Sequence, residues 1–351
     1  MSRNPDNPQN QGLKFVRMQD IASLAGVSMM TVSRVVREPE RVAAATRRKV
    51  LKVMQSAGYV PNRIAGSLAS NRSHVIALVI PIVDPVYADM IRGMTDVLRP
   101  QGYEMQLSVS NHSLDVEQHE IEAFLGRRVD GIALVGHTHS KRSIATLRRT
   151  GIPVAEIWNL AKRPIGFTVG MSHYNASRAM VRHLVSRGYR RIAYIGGFTQ
   201  DNDRTGDRER GFLDEMDALK MPVVAHQVVR RGFSFSEGCS GFSELLKLNE
   251  GHVDAIFVGS DVIAAGALFE AQRQGLRVPN DIAIAGFDDA DIAGAVVPSL
   301  TTVKMPRYEI GARVAELFIN HARGDTPRRR SYDLGFEIIA RESTWRAPAV
   351  L

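Results

Sequence analysis

The chain carries a single cysteine, Cys239, in 351 residues. Neither a disulfide framework nor a thiolate metal cluster can be built from one thiol. No helix terminus or basic run adjoins it in the sequence to make it a nucleophile. No segment approaches the roughly 18–20 uninterrupted apolar residues that a membrane span requires. The polar start, MSRNPDNPQNQGLKF, lacks the apolar core of a secretory signal. The signatures of common α/β enzymes, G-x-S-x-G, the P-loop and G-x-G-x-x-G, are missing too, and no Cys/His pairing replaces them. His137 and His139 are spaced like a metal pair, but their H-T-H loop brings no carboxylate or cysteine, so no metal or other cofactor is expected. These absences point to a soluble intracellular protein that is not an enzyme.

A net excess of basic charge is also missing from most of the chain. Residues 1–74 carry 12 Lys and Arg against 4 Asp and Glu, whereas the other 277 residues carry 33 of each sign. The whole net charge of +8 therefore lies in the N-terminal fifth. A basic head on a neutral body is the electrostatic footprint of a polyanion-binding module, most often one for nucleic acid. Length and a hydrophobic content of 44% predict two or three domains with a substantial core.

Residues 1–17 are rich in Asn, Pro and Gln without periodicity, and read as a disordered tail. From Met18 the pattern is helical: Met18, Ile21, Ala22 and Ala25 share one face. Gly26 suits a tight turn, and Ser28 is an N-cap for a second helix whose apolar side is Val32, Val35 and Val36. A third helix, from about Ala45 to Ala57, is expected to bury Val50, Leu51 and Met54 before a stop at Gly58. Residues 18–60 thus have the spacing of a helix-turn-helix, whose second helix enters the major groove. Ser28, Met29, Met30, Thr31, Ser33 and Arg34 are the candidate base readers, with Arg34 suited to guanine O6 and N7. Arg17, Arg37, Arg41, Thr46, Arg47 and Arg48 would serve phosphates.

Residues 61–74 form a linker. Pro61 forces an extended entry, and Asn62 can cap a short helix Arg63–Ser70 that contains Gly66 and is too short to be stable alone. Beyond Val75, apolar β-type runs (75–80, 105–109, 131–135, 153–157, 191–197, 223–229, 255–259 and 281–287) alternate with helical segments such as 87–99, 116–128, 174–187, 207–219, 236–248, 262–274 and 307–322. This rhythm implies βαβ units and parallel sheets. Residues 75–345 are too many for one such sheet. Two lobes are expected, about 75–171 with 300–331 and about 172–299 with 332–345, with a ligand cleft at the carboxyl ends of the strands.

The segments DIASLAGVS–TVSRVV, GYVPNRIAGSLAS, VPNDIAIAGFDD and PSLTTV resemble the LacI (lactose-repressor) family of bacterial transcription regulators, from about Met18 to Trp345. The resemblance implies a body like a periplasmic sugar-binding protein, a homodimer on a pseudo-palindromic double-stranded operator, and action in the cytoplasm, at the nucleoid when DNA-bound. It implies that Asn62, Arg63, Ala65 and Leu68 form a hinge helix on the minor groove, with Leu68 wedged between base pairs. It also implies small-molecule contacts from Arg208, Asp288 and Ser260, and from Asp84 and Tyr87 in VDPVYAD. Trp158, just beyond a strand end, could stack on a sugar face, and Asn111 is a lesser candidate. Ser172 and His173 stand where many relatives have an Asp-Asn pair, a departure that bears on the cleft. Residues 137–158 look most like gluconate-type repressors, so gluconate or a related sugar acid is the expected inducer; a co-repressor of another kind is the alternative. A plain solute-binding protein fits less well, given the basic head and the absence of a signal peptide.

Overall fold

Gly26 adopts φ 58°, ψ 42°, the left-handed turn that ends one helix and admits the next. The helices it separates are α1 (Met18–Ala25) and α2 (Met29–Arg37), and a third, α3 (Ala44–Ser56), packs on both. In this computed structural model residues 16–60, 72–221, 223–325 and 329–345 are described, and the chain divides between Ser73 and His74 into two units. The first unit is built on Ile21, Ala22, Ala25, Val32, Val35, Val50 and Met54. Two residues expected in this core are outside it: Val36 is 38% and Leu51 50% exposed. Each lies one position past the inward stripe, which in α2 is Val32 and Val35 and in α3 is Val50 and Met54, and one step is a turn of about 100° around a helix. The expected helix Arg63–Ser70, with Asn62, Arg63, Ala65 and Leu68, lies outside the described residues.

The second unit alternates strand and helix through β1 (Val75–Ile80), α4 (Ala88–Leu98), β2 (Glu104–Val109), α5 (Leu114–Gly126), β3 (Gly131–Val135), α6 (Lys141–Thr150), β4 (Val154–Asn159), β5 (Phe167–Met171), α7 (His173–Ser186), β6 (Ile192–Gly196), α8 (Asp203–Ala218), β7 (Val228–Arg230), α9 (Phe235–Leu248), β8 (Ala255–Val258), α10 (Asp261–Arg273) and β9 (Ala283–Ala285). It ends with α11 (Asp291–Ala295), β10 (Thr302–Lys304), α12 (Arg307–Ala322), β11 (Ser331–Asp333) and β12 (Glu337–Ile339). Two all-parallel sheets result, in the orders β11-β5-β4-β3-β1-β2 and β7-β6-β8-β9. Continuous runs such as VIALVI and AIFV are buried on both faces, as parallel strands must be.

Several boundaries differ from those expected. The run 223–229 contributes only β7, because Ala225–Gln227 coil into a 3-10 turn. Helix α8 begins four residues before the expected Asp207, because the Asn202 side chain caps it by accepting from the Thr205 N–H at 3.3 Å. Trp158 lies inside β4 rather than beyond it, with φ at 84°. Beside the parallel sheets stands a separate antiparallel pair, β10 with β12, which the alternating rhythm did not signal. Cys239 is half-buried in α9, its thiol donating to the Gly266 carbonyl at 3.2 Å, and it does have a basic neighbour: an Arg273 Nη lies 3.7 Å away.

Candidate functional site

In the first unit, the Ser28 hydroxyl accepts from the Thr31 N–H at 3.1 Å and so fixes the start of α2. Ser28, Met29, Met30 and Arg34 are exposed, as are Arg17, Arg37, Arg41 and Arg48. Thr31 and Ser33 are half-buried rather than exposed. The Thr31 hydroxyl pairs with that of Ser28 at 2.9 Å. Thr46 is half-buried at the start of α3. Among these basic residues, Arg41 pairs with Glu38 at 2.9 Å and Arg47 donates to the Pro39 carbonyl at 3.3 Å.

In the second unit a cavity of about 320 Å³ gathers Asp84, Tyr87, Trp158, Arg208, Ser260 and Asp288, every residue named from the sequence as a small-molecule contact except Asn111. Asn111 is exposed, and its neighbour His112 lines the wall instead. The lining positions follow the carboxyl ends of β1, β2, β6, β7, β8, β9 and β10, or in the case of Trp158 lie at the end of β4. Such strand ends leave loops and helix N-termini facing a shared crevice.

Each wall has its own local cause. Asp84 accepts from the Val86 N–H at 2.8 Å and thereby starts the turn that buries Tyr87. Tyr87 meets Trp158 at 4.8 Å between ring centroids, and burial pushes its hydroxyl up to about 12. Ser260 stands at the N-cap of α10 without capping it, which leaves its hydroxyl for Asp288. The Asp288 backbone has φ 112° and is held by its N–H, which donates to the Val303 carbonyl at 2.8 Å. Burial drives its carboxyl up to about 7, even though Arg208 and Arg307 favour the charged form.

Arg208 is not a surface residue at a helix start. It is 5% exposed in the second turn of α8, one Nη is 3.2 Å from Nδ1 of His173, and its Cζ lies 4.8 Å over the Phe287 ring. Arg204, one turn earlier, lines the same cavity and donates to the Val135 carbonyl at 3.0 Å. That approach needs glycine at 136, where a Cβ would collide with the guanidinium of Arg204. Arg204 was missed, although i, i+4 spacing on a helix puts it beside Arg208. Asn202, Phe233, Phe235, Asp89 and Arg307 also line the cavity, brought there from distant parts of the chain. Ser172 caps α7, accepting from the Asn175 N–H at 3.1 Å, and His173 is fully buried behind the cavity wall.

His137 and His139 do not converge. His137 Nε2 lies 3.4 Å from Asp203, whose carboxyl is held at about 2: burial opposes ionisation, but Arg204, His137 and Asn159 outweigh it. His139 pairs with Glu117 at 2.8 Å in a separate buried cluster. Among the described residues no group of three or more His, Cys, Asp or Glu side chains could hold a metal ion, and no helix is long and apolar enough to cross a membrane.

Comparison with known proteins accounts for both units. Residues 17–62 match the family model for bacterial regulatory proteins, lacI family, and residues 181–344 match that for a periplasmic binding protein-like domain. The chain is 33% identical over 323 residues to the HTH-type transcriptional regulator GntR of Escherichia coli K12, covering 92% of this chain and 96% of that one. It belongs to the LacI family. The solved structure of a LacI-family regulator from Silicibacter pomeroyi superposes with a TM-score of 0.87 at 29% identity, over 94% of this chain and 100% of that one. A lac repressor dimer bound to operator and the anti-inducer ONPF superposes at 0.82 and 25% identity, over 95% and 100%. As a LacI-family member the chain is a DNA-binding transcriptional regulator, with residues 17–62 carrying the family's DNA-binding head.

Proposed function

We propose that this regulator is a cytoplasmic repressor that binds a pseudo-palindromic operator as a homodimer and is released by a small sugar acid such as gluconate. The observation that carries the effector class is the pairing, in one cavity, of two adjacent arginines, Arg204 and Arg208, with the hydroxyl-accepting carboxylates of Asp84 and Asp288. A polyhydroxy acid presents a carboxylate to the first pair and hydroxyls to the second, and Tyr87 and Trp158 supply apolar faces for its carbon chain. The likeness of residues 137–158 to gluconate-type repressors supports the same class. The lac repressor dimer on its operator supports the oligomeric state and the DNA partner.

In the head, Arg34, Met29 and Met30 read base edges, while Ser28, Thr31 and Ser33 sit at the groove. Arg17, Arg37, Arg41 and Thr46 fix the register on phosphates. Asn62, Arg63, Ala65 and Leu68 form a hinge helix that DNA orders. The effector acts by favouring an arrangement of the body in which the two hinges of a dimer cannot both fold.

Operator binding by the full chain, measured at several salt concentrations with a panel of sugars and sugar acids, tests the reading. Tight, salt-sensitive, sequence-specific binding that gluconate or a close relative abolishes is the expected result. Loss of specific binding overturns the repressor. Release by another metabolite alone overturns the sugar acid, and tightening by a ligand reverses the sign to co-repression.

A further inference from the structure

Arg208 is a buried cation with no carboxylate within ion-pair distance among the described residues, although its charge reaches Asp288 across the cavity. One Nη donates to His173 Nδ1 at 3.2 Å, the other to the Thr205 hydroxyl at 3.4 Å, and Nε has no hydrogen-bond partner among the described residues. Among the described residues its guanidinium forms no ion pair, unlike Arg204, which has Asp203 at 3.3 Å, and Arg307, which has Asp89 at 3.1 Å. A charge taken out of water is costly unless something supplies a counter-ion.

The bonding pattern of His173 shows why the protein supplies none. Nε2 lies 3.2 Å from the Trp158 carbonyl oxygen, which can only accept, and Nδ1 faces a guanidinium, which can only donate. The proton therefore sits on Nε2, and Nδ1 offers a lone pair from a neutral ring. Burial, together with Arg208 and Arg204, holds the imidazole well below its ordinary pKa, consistent with that pattern. The ring also stacks on Phe287 at 5.3 Å and 15°, and the same Phe287 ring underlies the guanidinium. The hydrogen bonds of Arg208 thus go to neutral groups only, while it lines the cavity on its other side, where Asp288 feels its charge without pairing with it.

We propose that His173 is a positioning residue that sets ligand specificity: by offering Arg208 a neutral acceptor, it leaves the counter-ion to be supplied by the ligand, so the cleft selects polyhydroxy ligands that bear a carboxylate over their neutral counterparts. An aspartate at 173 would supply the counter-ion from within and remove the selection. The inference rests on the effector reading of this cavity given above.

The test compares D-gluconate with its neutral counterpart D-glucitol, by calorimetry and by operator release, on the full-length wild type, His173→Asp and His173→Asn. Wild type and His173→Asn, which keeps a neutral acceptor, are expected to prefer gluconate at least tenfold. In His173→Asp the ratio of the two affinities falls at least tenfold while glucitol binding is retained, whereas a merely structural role for His173 would weaken both ligands alike. A ratio unmoved by His173→Asp, or a wild type that prefers glucitol, overturns this inference and leaves the sugar-effector reading standing. If neither ligand binds the wild type, the sugar-acid reading fails and this inference falls with it. Should His173→Asp not fold, the ¹⁵N resonances of His173 in the wild type decide: a bare Nδ1 and a protonated Nε2 are expected, and an imidazolium overturns the inference.

Discussion

Arg307, in the first turn of α12, donates one Nη to the main-chain carbonyl of Asp288, and its other Nη lies 3.1 Å from a carboxylate oxygen of Asp89. It thereby supports a loop whose two aspartates, Asp288 and Asp289, have φ of 112° and 51°. Side chains other than glycine occupy such values at a cost that the surroundings must meet. Arg307→Ala removes the support and leaves the half-buried Asp89 carboxylate with only the exposed Arg92, 3.0 Å away, as a partner. We expect a loss of about 1–3 kcal/mol in denaturant unfolding. Effector affinity falls with it and operator affinity in the absence of effector is retained, which paired calorimetry and DNA-binding measurements would show.

Arg208→Met keeps the length of the side chain and its contact with Phe287 while removing the charge. Gluconate release of the operator should be lost, with DNA affinity changed by no more than about twofold, since a ligand shifts an equilibrium only through its differential affinity for the two states. A fluorescence-anisotropy titration of operator against gluconate measures both. A variant still released at the wild-type concentration would remove Arg208 from the effector site.

The raised carboxyl of Asp288 makes stability fall with pH. Below about pH 4 the group is protonated in both folded and unfolded chains and costs nothing. Between there and about 7 the unfolded chain ionises first, so the folded state loses ground, and the full penalty is present above about 7. Asp288→Asn removes the penalty. Against wild type its gain in melting temperature should be larger at pH 8 than at pH 4, and its sugar-acid affinity should drop. A gain independent of pH would mean that Asp288 is not the titrating group.

In the head, Ser28→Ala deletes the hydroxyl that caps α2 and should cost about 1 kcal/mol of stability. Arg34→Ala should instead leave stability unchanged, cost about 1–3 kcal/mol of operator affinity and relax the choice of base at one position. Arg37→Ala should weaken all DNA alike and reduce the slope of log K against log salt by about 1. Thermal melts separate the first variant from the other two, and a salt series separates those.

The buried parallel strands were legible because continuous β-branched runs such as VIALVI leave few alternatives. Strand β5 was not read: its five residues, FTVGM, include a glycine in close contact with the Trp158 main chain, and follow the Pro- and Gly-containing loop 160–166. Helix α6, KRSIATLRRT, has few apolar positions to show a period and is marked mainly at its ends, by the Ser140 cap and the left-handed Gly151. The three-residue strands β10, β11 and β12 are shorter than any window in which alternation can be counted. In the cavity, Arg208, Ser260 and Asp288 were legible through family resemblance. Asn202 and Phe233 were not, since what makes them lining residues is the folding of distant loops to one place. Met29 and Met30 were correctly read as exposed, because a helix interrupted by its own N-cap offers only one apolar stripe to the core.

A carboxyl poised at about 7 also ties effector recognition to the solvent's proton supply. At neutral pH roughly half the unliganded molecules carry the proton on Asp288, and a ligand whose hydroxyls require the ionised form must expel that fraction on binding. The heat measured for binding then contains the ionisation enthalpy of whichever buffer takes the proton. Near pH 7, titrations in phosphate and in Tris should differ by about half the difference between the two buffers' ionisation enthalpies, and at pH 9, where Asp288 is already ionised, they should agree.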